Sequence, residues 1–184
     1  MRYEMFKTLI GVFSDTHNNL PDLKNAAEKA KSAGASVFIH LGDTYKDADV
    51  LFEYSDKVFR VPGLYEKQYA DPKIQNHFFT NISGFNIFLT HSDRLEPQDL
   101  PGSLDPKKTA INNEADIYLY GHTHLYEAMI KGDTMFLNPG HLKTGDNRSE
   151  TLSFGMLELT EKKAIGRIYG LDGKILQETV LLKF

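Results

Sequence analysis

The stretch "LIGVFSDTHNNLPDLKNAAEKAKSAGASVFIHLGDT", Leu9 to Thr44, decides the fold. Leu9 to Phe13 is a short apolar run and reads as a buried strand. Beyond it, Leu20, Leu23, Ala27 and Ala30 recur at helical spacing. Asn19 is placed to cap that helix, Pro21 lies in its first turn and Gly34 at its end. Val37 to Ile39 is a second buried strand. Asp47 to Tyr54 reads as a short helix and Val58 to Val61 as a third strand. Strand, helix, strand, helix, strand implies right-handed crossovers and a parallel sheet.

Outward from there the pattern loosens. "FNIFLT" and Asp116 to Tyr120 read as strands, Pro97 to Pro106 as a surface loop, and Lys107 to Asn113 as helical. The last third is strand-rich. Leu125 to Ile130 and Thr134 to Leu137 flank "KGD", a hairpin turn. Leu152 to Leu159, Ala164 to Tyr169 and Lys174 to Leu182 follow, with Asp172-Gly173 as a second hairpin signal. With no linker or repeat, the expectation is one domain over residues 1–184. Its class is α/β, with two mixed β-sheets packed as a sandwich and helices outside.

Composition narrows the function. Of 184 residues, 41% are hydrophobic, enough for a sizeable core. A net charge of -4 offers no bulk attraction for nucleic acid or an anionic membrane. There is no cysteine, which excludes disulfides, thiolate zinc sites and a cysteine nucleophile. "MRYEMFKTLI" has no apolar leader-like run, and no apolar stretch nears membrane-spanning length. The expectation is a cytoplasmic protein. The sequence leaves its oligomeric state open.

Four polar clusters each follow an apolar strand. "SDTHNN" carries Asp15 and His17, "HLGDT" carries Asp43, "THSD" carries His91, and "GHTH" carries His122 and His124. In α/β sheets, ligands bind beyond the carboxyl ends of strands, so these clusters are expected to meet at one edge. If the segments are extended, residues at i and i+2 point the same way, and each His/Asp or His/His pair aims two ligands at one point. Any one of these residues alone is more simply a turn or hydrogen-bonded residue. Their convergence favours a metal site. His40 reads as a core histidine or a support for a ligand, Asp47 and Asp49 as a solvated helix start, and Asp93 as surface or support. Six His and Asp ligands exceed one tetrahedral zinc site, so two divalent metals sharing a carboxylate fit better. Imidazole plus carboxylate suits manganese first, with zinc, iron, cobalt or nickel as alternatives. Such metal pairs suit phosphoryl chemistry.

These motifs resemble the calcineurin-like metallophosphoesterases, whose pattern runs D-x-H, G-D, G-N-H or G-N-C with an acid, H, and G-H-x-H. Here it reads "DTH", "GD", "GLYE", the His of "LTHSD", and "GHTH", with "NPGH" at Asn138 to His141. The chain looks most like the small phosphodiesterase branch, near the retromer scaffold subunit. The resemblance implies that Asp15, His17, Asp43 and His124 hold one metal, that Asp43 bridges, and that His91 and His122 hold the other. It implies a small phosphate-ester substrate and attack by a hydroxide between the metals. The usual Asn ligand falls at Leu64, which cannot ligate, and the residue beside it is Tyr65. Water or Glu66 would then complete the second metal, and Asp93 or His141 would assist the leaving group. The alternative is a scaffold that keeps the fold and metal site without turnover.

Overall fold

The computed structural model describes residues 7–183. The segment Met1 to Phe6, over half of the N-terminal stretch read above, lies outside the described residues. The structure is a sandwich of two mixed sheets. The first holds β1 (Thr8–Phe13), β2 (Val37–His40), β3 (Val58–Arg60), β9 (Ser153–Thr160), β10 (Lys163–Gly170) and β11 (Ile175–Leu182), in the order β11-β10-β9-β1-β2-β3. The second holds β4 (His77–Ile82), β5 (Phe85–Thr90), β6 (Ile117–Leu119), β7 (Glu127–Lys131) and β8 (Thr134–Asn138), in the order β4-β5-β6-β8-β7. Within the first sheet β1, β2 and β3 are parallel; within the second β5, β6 and β8 are parallel. Their carboxyl ends therefore carry the site.

Alternation along β1 shows how the layers form. Ile10 and Val12 face the second sheet and join Ile39, Leu41, Ile87, Leu89, Leu137 and Leu157 in the core between the sheets. Phe13 faces the other way, with Phe38, onto helix α1 (Leu20–Ser32). The helix buries Leu23, Ala26, Ala27 and Ala30, an i, i+3, i+4, i+7 stripe. Alanines on that stripe let the helix lie close to the sheet, and Leu23→Ala would cost about 2–5 kcal/mol. Leu20, counted with the stripe in the sequence, is instead 39% exposed, and Ala26 takes the inward position.

Three expectations change. The segment expected to be helical from Asp47 is a 3₁₀ helix over Tyr45–Glu53. Asp47 is not a solvated helix start: it is buried and accepts from Thr16 Oγ1 (2.5 Å) and from the Asn18 N–H (2.8 Å). Asp49 is exposed, as expected, and pairs with Arg60. Strand β4 was absent from the sequence reading. It pairs with β5 through a two-residue loop, Ser83-Gly84, with φ of 53° and 83°. Those angles make the type I′ turn that hairpins favour. Helix α2 (Pro106–Ile111) is short, with Asp105 capping it through the Lys108 N–H. Among the described residues no helix is long and apolar enough to cross a membrane.

Candidate metal centre

Every residue of the expected set sits in a short turn just beyond a strand. The turns are tied together across the sandwich. The Asp15 N–H donates to Gly42 O (2.9 Å), the His122 N–H to Asp15 Oδ2 (2.9 Å), and His91 Nδ1 to Leu41 O (2.7 Å). Two glycines permit this closeness. A Cβ on Gly42, which has φ of 94°, would lie 2.8 Å from His91 Nδ1. A Cβ on Gly63 would lie 2.5 Å from Asp43 Cα.

The i, i+2 pairs do converge, but not because they are extended. Asp15, His17, Asp43, His122 and His124 all have positive φ, at 53°, 48°, 87°, 67° and 64°. Left-handed backbone of this kind is uncommon outside glycine, though Asp and His tolerate it best. The buried Asp47 carboxylate braces the first of these turns. Asn138 braces the last, its Nδ2 donating to Gly121 O and to Thr123 Oγ1, each at 3.0 Å.

Donor atoms of Asp15, His17, Asp43 and His124 lie within 4.8 Å of one another. His17 Nε2 is 3.2 Å from His124 Nε2 and contacts the Asp43 carboxylate. His124 Nε2 is 3.1 Å from Asp15 Oδ1. His91 and His122 stand alongside, edge to face, with ring centroids 5.2 Å apart.

The tautomers follow from the partners. His124 Nδ1 donates to Asp146 Oδ2 at 2.5 Å, which leaves Nε2 unprotonated toward Asp15 and His17. His91 Nδ1 donates to Leu41 O, so its Nε2 is a buried lone pair with no partner. Asp15 Oδ2 accepts from Ser14 Oγ (2.6 Å) and the His122 N–H, whereas Oδ1 is buried and accepts no hydrogen bond. Buried polar atoms without partners are rare and costly. Donor atoms of four such residues within 4.8 Å, with Asp15 Oδ1 orphaned among them, are the kind of set that holds a divalent cation, and these residues fit one.

Electrostatics agree. Burial works against the Asp15 carboxylate, but the adjacent His124 and His91 rings hold its pKa down at about 2. The Asp43 carboxyl is likewise lowered against burial, by its contact with His17. Burial, then His91, lowers His122. Burial takes His40 to about 4. As a neutral ring it accepts from the Gly42 N–H (3.2 Å), a support role as the sequence suggested.

The remaining expected residues fall elsewhere. Glu66 is committed to backbone amides of two loops: Oε1 accepts from the Tyr45 N–H and Oε2 from the Gly63 N–H, each at 2.7 Å. Leu64 is buried and Tyr65 is 83% exposed. Asp93 is exposed and pairs with Arg94. His141 stacks on His124 with centroids 5.3 Å apart and contacts Ser149 O through Nε2. Sequence reading missed Asp146 and Arg148. Asp146 is buried against His124, and Arg148 Nη2 lies 2.7 Å from His124 Nε2. Both stand in "TGDNRSE", where turn-forming residues carry no periodic signal.

Residues 9–162 match the model of the calcineurin-like phosphoesterase superfamily domain. The chain is 27% identical over 166 residues to the phosphodiesterase YfcE of Escherichia coli strain K12, covering 79% of this chain and 84% of that one. It is 26% identical over 145 residues to the phosphodiesterase MJ0936 of Methanocaldococcus jannaschii, covering 71% and 82%. Among solved structures, Vacuolar Protein Sorting 29 of Cryptosporidium parvum shares the fold with a TM-score of 0.72 and 22% identity, over 97% of this chain and all of the other.

Proposed function

The chain belongs to the calcineurin-like phosphoesterase superfamily, and from that premise we propose that it is a phosphodiesterase working at a two-metal site. Within the superfamily it falls in the small phosphodiesterase branch near Vps29, and it is a metal-dependent phosphoester hydrolase. Asp15, His17, Asp43 and His124 would hold one cation; Asp43, His91 and His122 would hold the second. Two divalent cations, manganese first among the candidates, supply Lewis-acid polarisation of the phosphoryl group and a lowered pKa for the attacking water.

The chain's own residues do the rest. Asp43 spans the two halves of the donor set. Asp146 fixes the His124 ring with Nε2 unprotonated, and Leu41 O does the same for His91. Such outer hydrogen bonds commonly alter affinity or activity about 10–100-fold when lost. Arg148, its side chain 46% exposed beside His122 and His124, presents a cation to non-bridging phosphate oxygens. No imidazole stands beside Leu64 to protonate a leaving group, since position 65 is an exposed tyrosine. The reading therefore favours esters with stable leaving groups, which need proton transfer least.

The observation that carries this reading is the four-residue donor cluster with the buried Asp15 Oδ1 orphaned in it, and the buried, orphaned His91 Nε2 as a further lone pair. A scaffold role has one observation in its favour: the buried Leu64 where a ligand usually stands. A turnover assay separates them. With added manganese, the protein should hydrolyse bis(p-nitrophenyl) phosphate, and Asp43→Ala should abolish this. Wild-type rates equal to the variant's across several metals would refute the enzyme reading.

A further inference from the structure

A cavity of about 720 Å³ lies away from the metal edge, on the outer face of the second sheet. That is within the range of small-molecule sites, about 300–1,000 Å³. Strand register explains its floor. Phe79 pairs with Phe88, Phe88 with Tyr118, Tyr118 with Phe136 and Phe136 with Met129, so one row crosses all five strands. Neighbouring rings in this row have centroids 4.9, 5.2 and 5.0 Å apart. On the first sheet the thirteen-residue α1 covers the equivalent face. Here the cover is α2, with six residues, and the floor around Tyr118, Tyr120 and Phe136 stays open as a groove.

Two further observations specify the occupant. The Tyr118 side chain is buried, lines the groove, and its hydroxyl has no hydrogen-bond partner. Such a group calls for a polar partner. Lys107 and Lys131 also line the groove, and neither forms an ion pair among the described residues. The groove's two carboxylates are engaged, Asp93 with Arg94 and Glu127 with the Tyr120 hydroxyl. Aromatic faces, a free hydroxyl and unpaired lysines are complementary to a planar ring that carries an anion. A protein partner would need a broad flat surface; this is a concave groove of small-molecule volume.

We propose that this groove binds a planar aromatic or heteroaromatic ring bearing an anionic group, the class to which mononucleotides belong. The ring stacks on the half-buried Tyr120 and Phe136, its polar edge lies toward the buried Tyr118 hydroxyl, and the anion is met by Lys107 and Lys131. The site is separate from the metal centre, and the inference does not depend on phosphoesterase activity.

The test is calorimetric titration of AMP into the protein in EDTA, with adenosine and inorganic phosphate as comparators. AMP should bind saturably, and each comparator at least about tenfold more weakly, since both stacking and charge contribute. Lys107→Glu combined with Lys131→Glu should weaken AMP by about tenfold or more, as should Phe136→Leu, which keeps an apolar side chain but removes the ring. His91→Ala, at the metal centre, should leave AMP binding unchanged. Absence of saturable binding would overturn the proposal. So would inorganic phosphate binding as tightly as AMP, or loss of AMP binding in His91→Ala with none in the folded lysine variant.

Discussion

Replacing His17 with glycine should give a more stable metal-free protein than replacing it with alanine. His17 has φ of 48°. A residue with a Cβ is disfavoured there by about 1–2 kcal/mol, and glycine is not. Glycine loses about 0.5–1 kcal/mol more in backbone entropy on folding. The difference leaves His17→Gly ahead of His17→Ala by about 0.5–1 kcal/mol. Both variants remove the same imidazole, and the side chain is 32% exposed, so the cavity term is small and shared. Lys29 supplies the control, because it is exposed within α1. There the order reverses: Lys29→Ala should exceed Lys29→Gly by about 0.5–1 kcal/mol. The assay is urea denaturation in EDTA, with thermal midpoints as a second readout, where 1 kcal/mol corresponds to about 2–4 °C. If His17→Ala equals or exceeds His17→Gly while the Lys29 pair behaves as stated, the turn does not store the strain argued for here.

Asp146→Asn keeps an acceptor near His124 Nδ1 but removes the charge that Arg148 also uses. Manganese affinity by calorimetry should fall about 10–100-fold, and an unchanged affinity would remove Asp146 from the site. Leu64→Asn should raise the affinity for a second equivalent of manganese; identical isotherms for variant and wild type would show that the missing oxygen ligand is not limiting. Asp99 reports on acid stability away from the metals. Burial opposes its ionisation, but the Glu96 N–H and His77 hold its pKa below the usual carboxylate range. A depressed folded-state pKa gives stability that is present above the unfolded value, about 3.9, and is lost as pH falls through the lower folded value. The stability gap between wild type and Asp99→Asn should be constant near neutral pH and shrink only below about pH 4. A gap that is flat through that acid range would refute the assignment.

The first half of the first sheet was legible because period and burial agree. Leu9 to Phe13 and Val37 to Ile39 are apolar without break, and strands buried on both faces read that way. β4 was not legible. "HFFTNI" mixes polar and aromatic residues because one face lies toward the core and the other lines an outer aromatic row. Its turn, Ser-Gly, is a weaker signal than Asp-Gly. Motif spacing picked out the candidate donors, and the strands deliver those residues to one edge. The reason offered for the pairs, an extended i, i+2 geometry, was incorrect: the turns are left-handed, a backbone choice that the letters D-T-H and H-T-H do not spell out. Asp47 was misjudged because a helix start is commonly solvated. Its burial depends on the turn at Thr16 and Asn18, a contact 29 to 31 residues away.

The donor set is divided between the layers. Asp15, His17 and Asp43 hang from one sheet, and His91, His122 and His124 from the other. A cation held at this edge, as proposed above, would gauge the offset between the two sheets, as a pin gauges the alignment of two plates. Displacements of about 1 Å are enough to spoil a reacting geometry, and core substitutions commonly shift backbone. Repacking at Met135 or Leu157, buried between the sheets and remote in sequence from every donor, would then detune coordination while the protein stays folded. The hydrophobic interior of this sandwich sets its registration, and the metal edge reads that registration out.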